Sequence, residues 1–125
     1  MKKLVAIRGA VCSENTVEDI TKNVCDMCNA VFEKNQLKAE DIVSIQFTLT
    51  KEITKLNPAT ALRKGNCILD ITQTALFCSA EPEIENGMKN VIRLMVTAYM
   101  KKSIPKQNVY LNGAEKLRPD YSGRI

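Results

Sequence analysis

Apolar side chains in the first half of the chain recur with periods that predict a strand, a helix and a second strand. Residues 3–11 have the composition of a strand. Residues 16–34 place apolar side chains every three or four positions, as an amphipathic helix does, and a capping box of Asn15 and Glu18 would begin it. Residues 40–50 alternate between apolar and polar side chains, which predicts a half-buried strand. The apolar face of that strand consists of Val43, Ile45, Phe47 and Leu49.

The second half of the chain predicts a short helix followed by three strands. Pro58 suits the first turn of the helix, and Gly65 suits its end. The strands are predicted at residues 74–78, 90–100 and 108–118. Asn112 and Gly113 interrupt the last one, which is expected as a ribbon or a bulged strand. The order β-α-β-α-β-β-β predicts an α+β fold in a single domain (residues 1–125), with a mixed sheet and the helices packed on one face.

The overall composition is that of an ordinary globular domain, with 45% hydrophobic and 26% charged residues. No apolar run reaches the roughly 18 residues that a membrane span requires, and residues 1–12 lack the layout of a signal peptide. A cytoplasmic protein without membrane contact is therefore expected. The net charge of +4 comes from scattered lysines and only 5% of the residues are aromatic, which argues against a nucleic-acid partner.

Five cysteines and the absence of histidine restrict the chemistry of the chain. Cys25 and Cys28 have the spacing of a redox or zinc motif, but they fall inside the predicted helix, and no second pair or histidine completes a zinc site. We therefore interpret them as packing residues and expect neither a metal nor a cofactor. Ser-His and Cys-His catalysis are excluded because the chain has no histidine.

Two of the five arginines interrupt apolar strands. Arg93 lies within the apolar run at 91–96, and Arg8 lies in the first strand. Burying an unpaired guanidinium would cost several kcal/mol, so each must face a partner. One interpretation is an internal carboxylate, with the candidates Glu81, Glu83 and Asp70. The other is a small, multiply charged anion bound between strands, with further donors from Tyr110 and Arg118. Both hold together if a carboxylate also contacts the ligand.

Five short segments resemble the AroH class of bacterial chorismate mutases, in the order and approximate spacing of that family. They are AIRGAV at 6–11, CSAE at 78–81, NVIRLMV at 90–96, VYL at 109–111 and LRPD at 117–120. No single motif is specific, but the resemblance runs over nearly the whole chain and includes a helix start at Pro58-Ala59. It implies a homotrimeric pseudo α/β-barrel with pockets between adjacent subunits.

The resemblance also implies a reaction, the isomerisation of chorismate to prephenate in the biosynthesis of phenylalanine and tyrosine. This pericyclic Claisen rearrangement requires no nucleophile, base, metal or cofactor, which suits a chain without histidine. The protein must instead hold a dicarboxylate in a compact, chair-like conformer. It must also stabilise the negative charge that grows on the ether oxygen as the C–O bond breaks.

By resemblance, four residues form the centre of the site. Arg93 would donate to the ether oxygen and to one carboxylate, and Arg8 would bind a carboxylate. Tyr110 would add a hydroxyl donor, and Glu81 would accept a hydrogen bond from the ring hydroxyl. The segment that faces them across the subunit interface would be Phe77, Cys78, Ser79, Ala80 and Glu81, with simple packing as the alternative role of the cysteine. Arg63 and Arg118 would lie near the mouth, and Leu117 would also be a substrate-binding residue.

Three positions depart from the family pattern and keep other interpretations open. Asn57 replaces a common aromatic residue, Thr60 a usual lysine and Phe77 a small polar residue. These departures affect the wall and the entrance of the implied pocket. One alternative is therefore a non-catalytic trimeric module that binds an anion. Another is a relative of the Rid family of imine and enamine deaminases, although their usual Pro-Tyr-Ser-Gln stretch is absent from this sequence.

Overall fold

The computed structural model describes residues 1–118, which form five strands and two helices. The strands are β1 (Lys2–Cys12), β2 (Ile42–Leu49), β3 (Ala75–Ala80), β4 (Val91–Lys101) and β5 (Val109–Leu111). The helices are α1 (Val17–Lys34) and α2 (Pro58–Lys64), and short 3₁₀ turns lie at Ala39–Asp41 and Ala114–Leu117. The predicted α+β class and the order of the elements are confirmed. Within residues 1–118, no helix is long and apolar enough to cross a membrane.

The strands form one mixed sheet in the order β3-β2-β4-β1-β5. The central strand β4 pairs antiparallel with β1 and β2, whereas β5 and β3 pair parallel with β1 and β2, respectively. On β4, Arg93 lies opposite Thr48 of β2 and Ala10 of β1. Ala10 in turn lies opposite Tyr110 of β5. These four positions therefore form one row across the sheet, on the same face.

The hydrophobic core lies between the two helices and one face of the sheet. The helix side chains that point into it include Ile20, Val24, Met27, Val31, Phe32 and Leu62. The strand side chains that meet them include Ile7, Ile45, Phe47, Ile92 and Val96. Each large apolar side chain buried in this way stabilises the fold by roughly 2 kcal/mol. Cys25 and Cys28 are buried in the same core with free thiols, which confirms that they are packing residues.

The other face of the sheet carries the two arginines. Side chains of β1 and β4 alternate between the core and this open face, on which Arg8 and Arg93 lie. The Arg93 side chain is 44% exposed. The expectation that both guanidinium groups interrupt a buried apolar interior is therefore wrong, because Arg8 and Arg93 lie on the face of the sheet that the helices do not cover. The open face also has exposed apolar side chains, namely Leu4, Phe77, Met95 and Tyr99.

Two of the predicted strands differ from expectation. A bulge between Ile42 and Ser44 shifts the alternation at the start of β2, so Val43 is 48% exposed and Ile42 is buried in its place. The last predicted strand is shorter than expected. It ends at Leu111, because the backbone has positive φ at residues 112–113 and then enters a 3₁₀ turn.

The start of α1 also differs from expectation. Its N-cap is Thr16, whose hydroxyl accepts a hydrogen bond from the backbone N–H of Asp19 at 3.1 Å. Asn15 has another role, since its Oδ1 accepts from the backbone N–H groups of Thr54 and Lys55, each at 2.9 Å. The predicted capping box of Asn15 with Glu18 is therefore wrong.

Replacing the observed cap should destabilise the protein more than replacing the predicted capping partner. We expect Thr16→Ala to lower the free energy of unfolding by about 1 kcal/mol, because a backbone N–H at the helix start loses its acceptor. Thr16→Ser keeps that acceptor, and both it and Glu18→Ala should stay within about 0.5 kcal/mol of the wild type. Urea-induced unfolding followed by circular dichroism measures the difference. A larger loss in Glu18→Ala than in Thr16→Ala would contradict the assignment of the cap.

Candidate active site

A cavity of about 250 Å³ opens on the uncovered face of the sheet, where β2, β4, β1 and β5 lie side by side. Its wall includes Arg8, Gln46, Thr48, Arg93, Tyr110 and Arg118. Among residues 1–118, three arginines and no carboxylate line this cavity. The electrostatic potential inside it is therefore positive, which suits a small anion.

The register of the strands explains why these side chains converge. Arg93, Ala10 and Tyr110 are neighbours on three adjacent strands, and Arg8 lies two residues before Ala10 on the same face. Ala10 has only a methyl group, which its neighbours cover almost completely, so it does not line the cavity. The Tyr110 side chain is 7% exposed, and it belongs to a small apolar cluster with Ala10, Val91 and Ala114. This packing holds the tyrosine ring in place at the edge of the cavity.

Glu81 supplies a carboxylate beside the cavity. It follows β3, and its backbone N–H donates to the carbonyl of Leu49 at 2.9 Å. Its Oε1 lies 2.9 Å from Nε of Arg93 and also accepts a hydrogen bond from the hydroxyl of Thr48. The Glu81 side chain is 16% exposed. Arg93 therefore pairs with an internal carboxylate, one of the candidates named from the sequence, and it also lines an open cavity. The pair does not exclude a bound anion, which stays a prediction.

The Glu81–Arg93 pair also borders a second cavity. This cavity, of about 400 Å³, lies under the loop at 81–89, and both Glu81 and Arg93 contribute to its wall. Arg93 thus lines both cavities, and the pair is not sealed in the interior. The pair forms within one chain, so the contact between Glu81 and Arg93 does not require a second subunit. The expected subunit interface at residues 77–81 stays a prediction.

The remaining predicted site residues do not line the arginine cavity of their own chain. They are Arg63, Phe77, Cys78, Ser79, Ala80 and Leu117. Arg63 is exposed on α2, where its Nη2 donates to the hydroxyl of Thr60 at 3.3 Å. Phe77 is 64% exposed on the open face of the outer strand β3. Ser79 lies on the same face and Ala80 on the opposite one, and both are exposed. Leu117 packs against the apolar cluster around Tyr110.

Cys78 and Asn57 have local roles in the fold. Cys78 turns away from the open face and packs against the hydrophobic core, as expected from its alternative role as a packing residue. Asn57 is the N-cap of α2, where its Oδ1 accepts a hydrogen bond from the backbone N–H of Ala59 at 2.8 Å. An asparagine at this position therefore stabilises the start of the helix.

Among the residues that line the arginine cavity, sequence reasoning missed Gln46, Thr48 and Met95, together with Gly9 and Leu94. The signal for the first two was present, because polar side chains at alternate positions of β2 must share one face. Their position beside Met95 and Arg93 depends on the pairing of β2 with β4. That pairing joins strands that are far apart in the sequence, and alternation alone does not predict it.

The cysteine thiols are poorly suited to act as nucleophiles. Burial raises the pKa of the Cys25 and Cys78 thiols, and it raises the pKa of the fully buried Cys28 well above its ordinary value. The thiols therefore remain protonated at neutral pH, and a thiol is much less nucleophilic than a thiolate. In the part of the chain that the structure describes, no three histidine, cysteine, aspartate or glutamate side chains are arranged to hold a metal ion.

These features define a class of protein. It is an α+β protein that presents guanidinium groups and a paired carboxylate on an open sheet face, a combination whose chemistry suits a small anion with hydrogen-bonding groups.

Comparison with known proteins narrows this class to one protein family. The sequence model of the family described as chorismate mutase type I matches residues 4–121. The chain is 30% identical over 120 residues to chorismate mutase AroH of Bacillus subtilis (strain 168), covering 93% of this chain and 91% of that protein. It is 29% identical over 119 residues to chorismate mutase AroH of Thermus thermophilus, covering 91% of this chain and 93% of that protein. A solved chorismate mutase from Clostridium thermocellum superposes with a TM-score of 0.80 at 35% identity, covering 90% of this chain and 98% of that one.

The chain therefore belongs to the chorismate mutase type I family. The family predicted from the sequence, and with it the class of isomerase, is confirmed. The fold of a chorismate mutase is confirmed as well, by the superposition over nearly the whole chain.

The raised pKa values of the thiols can be tested by alkylation. Iodoacetamide reacts with thiolates, so at pH 8 we expect each buried cysteine to react more slowly in the native protein than in urea. Cys28 should be the slowest, because burial raises its pKa most clearly. Raising the pH should speed the native reaction, since more of each thiol ionises. Mass spectrometry of each modified cysteine gives the rates. If Cys25 and Cys28 react as fast in the native protein as in urea, they are not packing residues, and the result would favour a redox role instead.

Proposed function

We propose that the cavity between Arg8, Arg93 and Tyr110 binds chorismate and that the protein converts it to prephenate. The observation that carries this proposal is the Glu81–Arg93 pair at the border of a cavity lined by three arginines, in a chain of this family. Chorismate has two carboxylates, an ether oxygen and a ring hydroxyl. The cavity offers guanidinium donors for the first two, and Glu81 offers an acceptor for the third.

The first contribution to catalysis is the choice of conformer. The rearrangement breaks a C–O bond and forms a C–C bond in one concerted step, so both ends of the substrate must lie close together. Arg8 and Arg118 lie on different segments of the chain around one cavity. If they bind the two carboxylates, they hold the substrate in the folded conformer and remove much of the entropic cost of reaching the transition state.

The second contribution is electrostatic. Negative charge grows on the ether oxygen in the transition state, and a fixed cation stabilises it more than it stabilises the ground state. Arg93 suits this task because its Nε donates to Glu81, which leaves the N–H groups on its two Nη atoms to serve the substrate. The ion pair also fixes the plane of the guanidinium group. The donor is thus oriented before the substrate arrives, which is the condition for strong stabilisation.

Replacing Arg93 should abolish most of the catalysis. We expect Arg93→Ala to lower kcat/KM for chorismate by about 100-fold or more, because the donor to the ether oxygen is lost. Arg93→Lys should recover little, since one ammonium group cannot serve Glu81 and the substrate in the same plane. Loss of chorismate absorbance measures the rate. Lys22→Ala is the control, because it removes a cation from the exposed side of α1, and it should leave the rate unchanged.

The same assay separates the three candidate functions. Rapid turnover by the wild type that is lost in Arg93→Ala supports the mutase. Tight binding of chorismate without turnover would favour the non-catalytic module instead. Release of ammonia from an imine substrate would favour the deaminase. Wild-type turnover in Arg93→Ala would contradict the role given to this residue.

We also propose that the protein is a homotrimer whose active sites lie between subunits. The open face of the sheet supports this, because Leu4 and Tyr99 are cross-strand neighbours there and are 58% and 46% exposed. Exposed apolar surface of this kind typically marks an interface. A second copy seated on this face would cover it. Arg63 and Phe77 would then reach the cavity of the neighbouring subunit, which explains why they do not line their own.

A charge placed on the open face should prevent assembly. We expect Tyr99→Glu to change the mass in solution from trimer to monomer, because a carboxylate would be buried in the interface without a partner. Activity should fall with it if neighbouring subunits complete the site. Val17→Glu is the control, since Val17 is 48% exposed at the start of α1, on the other side of the sheet. Sedimentation velocity gives the masses, and a trimer that survives Tyr99→Glu would contradict the interface.

We further propose that the enzyme works in the cytoplasm, in the biosynthesis of phenylalanine and tyrosine. The five free cysteines support this compartment, because unpaired thiols persist in a reducing environment.

A further inference from the structure

Thr48 contacts the acceptor oxygen of Glu81, and the sequence alone gave no role for this threonine. It lies on β2, opposite Arg93 on β4 and opposite Ser79 on β3. Its side chain is partly buried and lines the arginine cavity. Its hydroxyl donates to Oε1 of Glu81, the same oxygen that accepts from Nε of Arg93.

This arrangement constrains the carboxylate from two directions. A glutamate side chain has three torsions, and its terminal torsion is soft, so one ion pair leaves the plane of the carboxylate poorly fixed. A threonine, in contrast, has few χ1 rotamers because it is branched at Cβ. A hydroxyl on such a rigid side chain, on a strand inside the sheet, has a well-defined position. Hydrogen bonds to a charged acceptor are also stronger than neutral ones.

We propose that Thr48 is a positioning residue that acts through Glu81. Its hydroxyl holds the carboxylate where it meets Nε of Arg93, and this sets the direction in which the Nη groups of Arg93 enter the cavity. Without the hydroxyl, the Glu81–Arg93 pair still forms, but in several orientations. This inference rests on the proposed function for its kinetic readout, and it deepens that function by extending the catalytic pair to a triad on β2, β4 and the end of β3.

Isosteric substitutions test the inference. We expect Thr48→Val, which keeps the branched shape, to lower kcat for chorismate by about tenfold while KM changes less than about threefold. Thr48→Ser, which keeps the hydroxyl, should recover most of the loss. Thr21→Val is the matched control, because it removes a hydroxyl that donates to the Val17 carbonyl on α1, far from the cavity. It should leave kcat unchanged. Thermal unfolding of each variant separates a loss of function from a loss of stability.

A double-mutant cycle separates positioning from direct contact with the substrate. If Thr48 acts through Glu81, Thr48→Val should change kcat by less than about twofold when Glu81→Ala is already present. An equal loss in both backgrounds would overturn the inference, because it would mean that the hydroxyl acts on the substrate itself. Unchanged kcat in Thr48→Val, or equal losses in Thr48→Val and Thr48→Ser, would overturn it too.

The design also distinguishes failure of this inference from failure of the proposed function. If the wild type binds chorismate without converting it, the proposed function fails, and the same cycle is measured on Kd by calorimetry. Thr48→Val should then weaken binding by about tenfold in the wild-type background and by less than about twofold with Glu81→Ala. If the wild type neither binds nor converts chorismate, a crystal structure of Thr48→Val decides. The inference is wrong if the Glu81 carboxylate keeps its place.

Discussion

The antiparallel pairing of the central strand β4 with both β1 and β2 is the constraint on which the site depends. Side chains of a strand alternate between the two faces, so this pairing decides at once which residues reach the core and which reach the cavity. It places Arg93 in one row with Thr48 and Ala10, while Leu94 and Ile92 point into the core. A slip by one residue would bury a guanidinium under the helices and expose the leucine. The core therefore holds the site in register.

The Glu81–Arg93 pair does little for stability and much for geometry. The arginine side chain is 44% exposed, and ion pairs that remain in contact with water contribute about 1 kcal/mol or less. A fully buried pair would be harder to use, because a substrate could reach neither partner. The observed pair lies between these extremes. The carboxylate is mostly covered and fixes the guanidinium, whereas the guanidinium keeps donors that face an open cavity. This is what a preorganised electrostatic site requires.

The sequence was most informative where one period or one residue decides the structure. The helix predicted from the 3.6-residue period at 16–34 and the helix predicted from Pro58 and Gly65 have nearly the bounds of the observed α1 and α2. Both predictions succeed because they depend on local backbone preferences. The side of the sheet on which the arginines lie was missed, because Val91 and Met95 share the open face of β4 with Arg93 and so form an almost continuous apolar run with the core residues at 91–96. The bulge at the start of β2 and the hydrogen bond from Thr48 to Glu81 were not predicted, because they depend on contacts between distant segments.

The positions that depart from the family pattern lie away from the central pair, and this bears on how the enzyme can differ from its relatives. Asn57 and Thr60 belong to the start of α2, and Phe77 belongs to the outer strand β3. None of the three lines the arginine cavity of its own chain. In the trimer that we propose, they would reach a cavity only from the neighbouring subunit, as part of its entrance. Changes at these positions would then alter how substrate enters and leaves, while the geometry of Thr48, Glu81 and Arg93, which lies within one chain, stays as it is. Assembly and chemistry would be encoded on different elements, so that one can vary without the other.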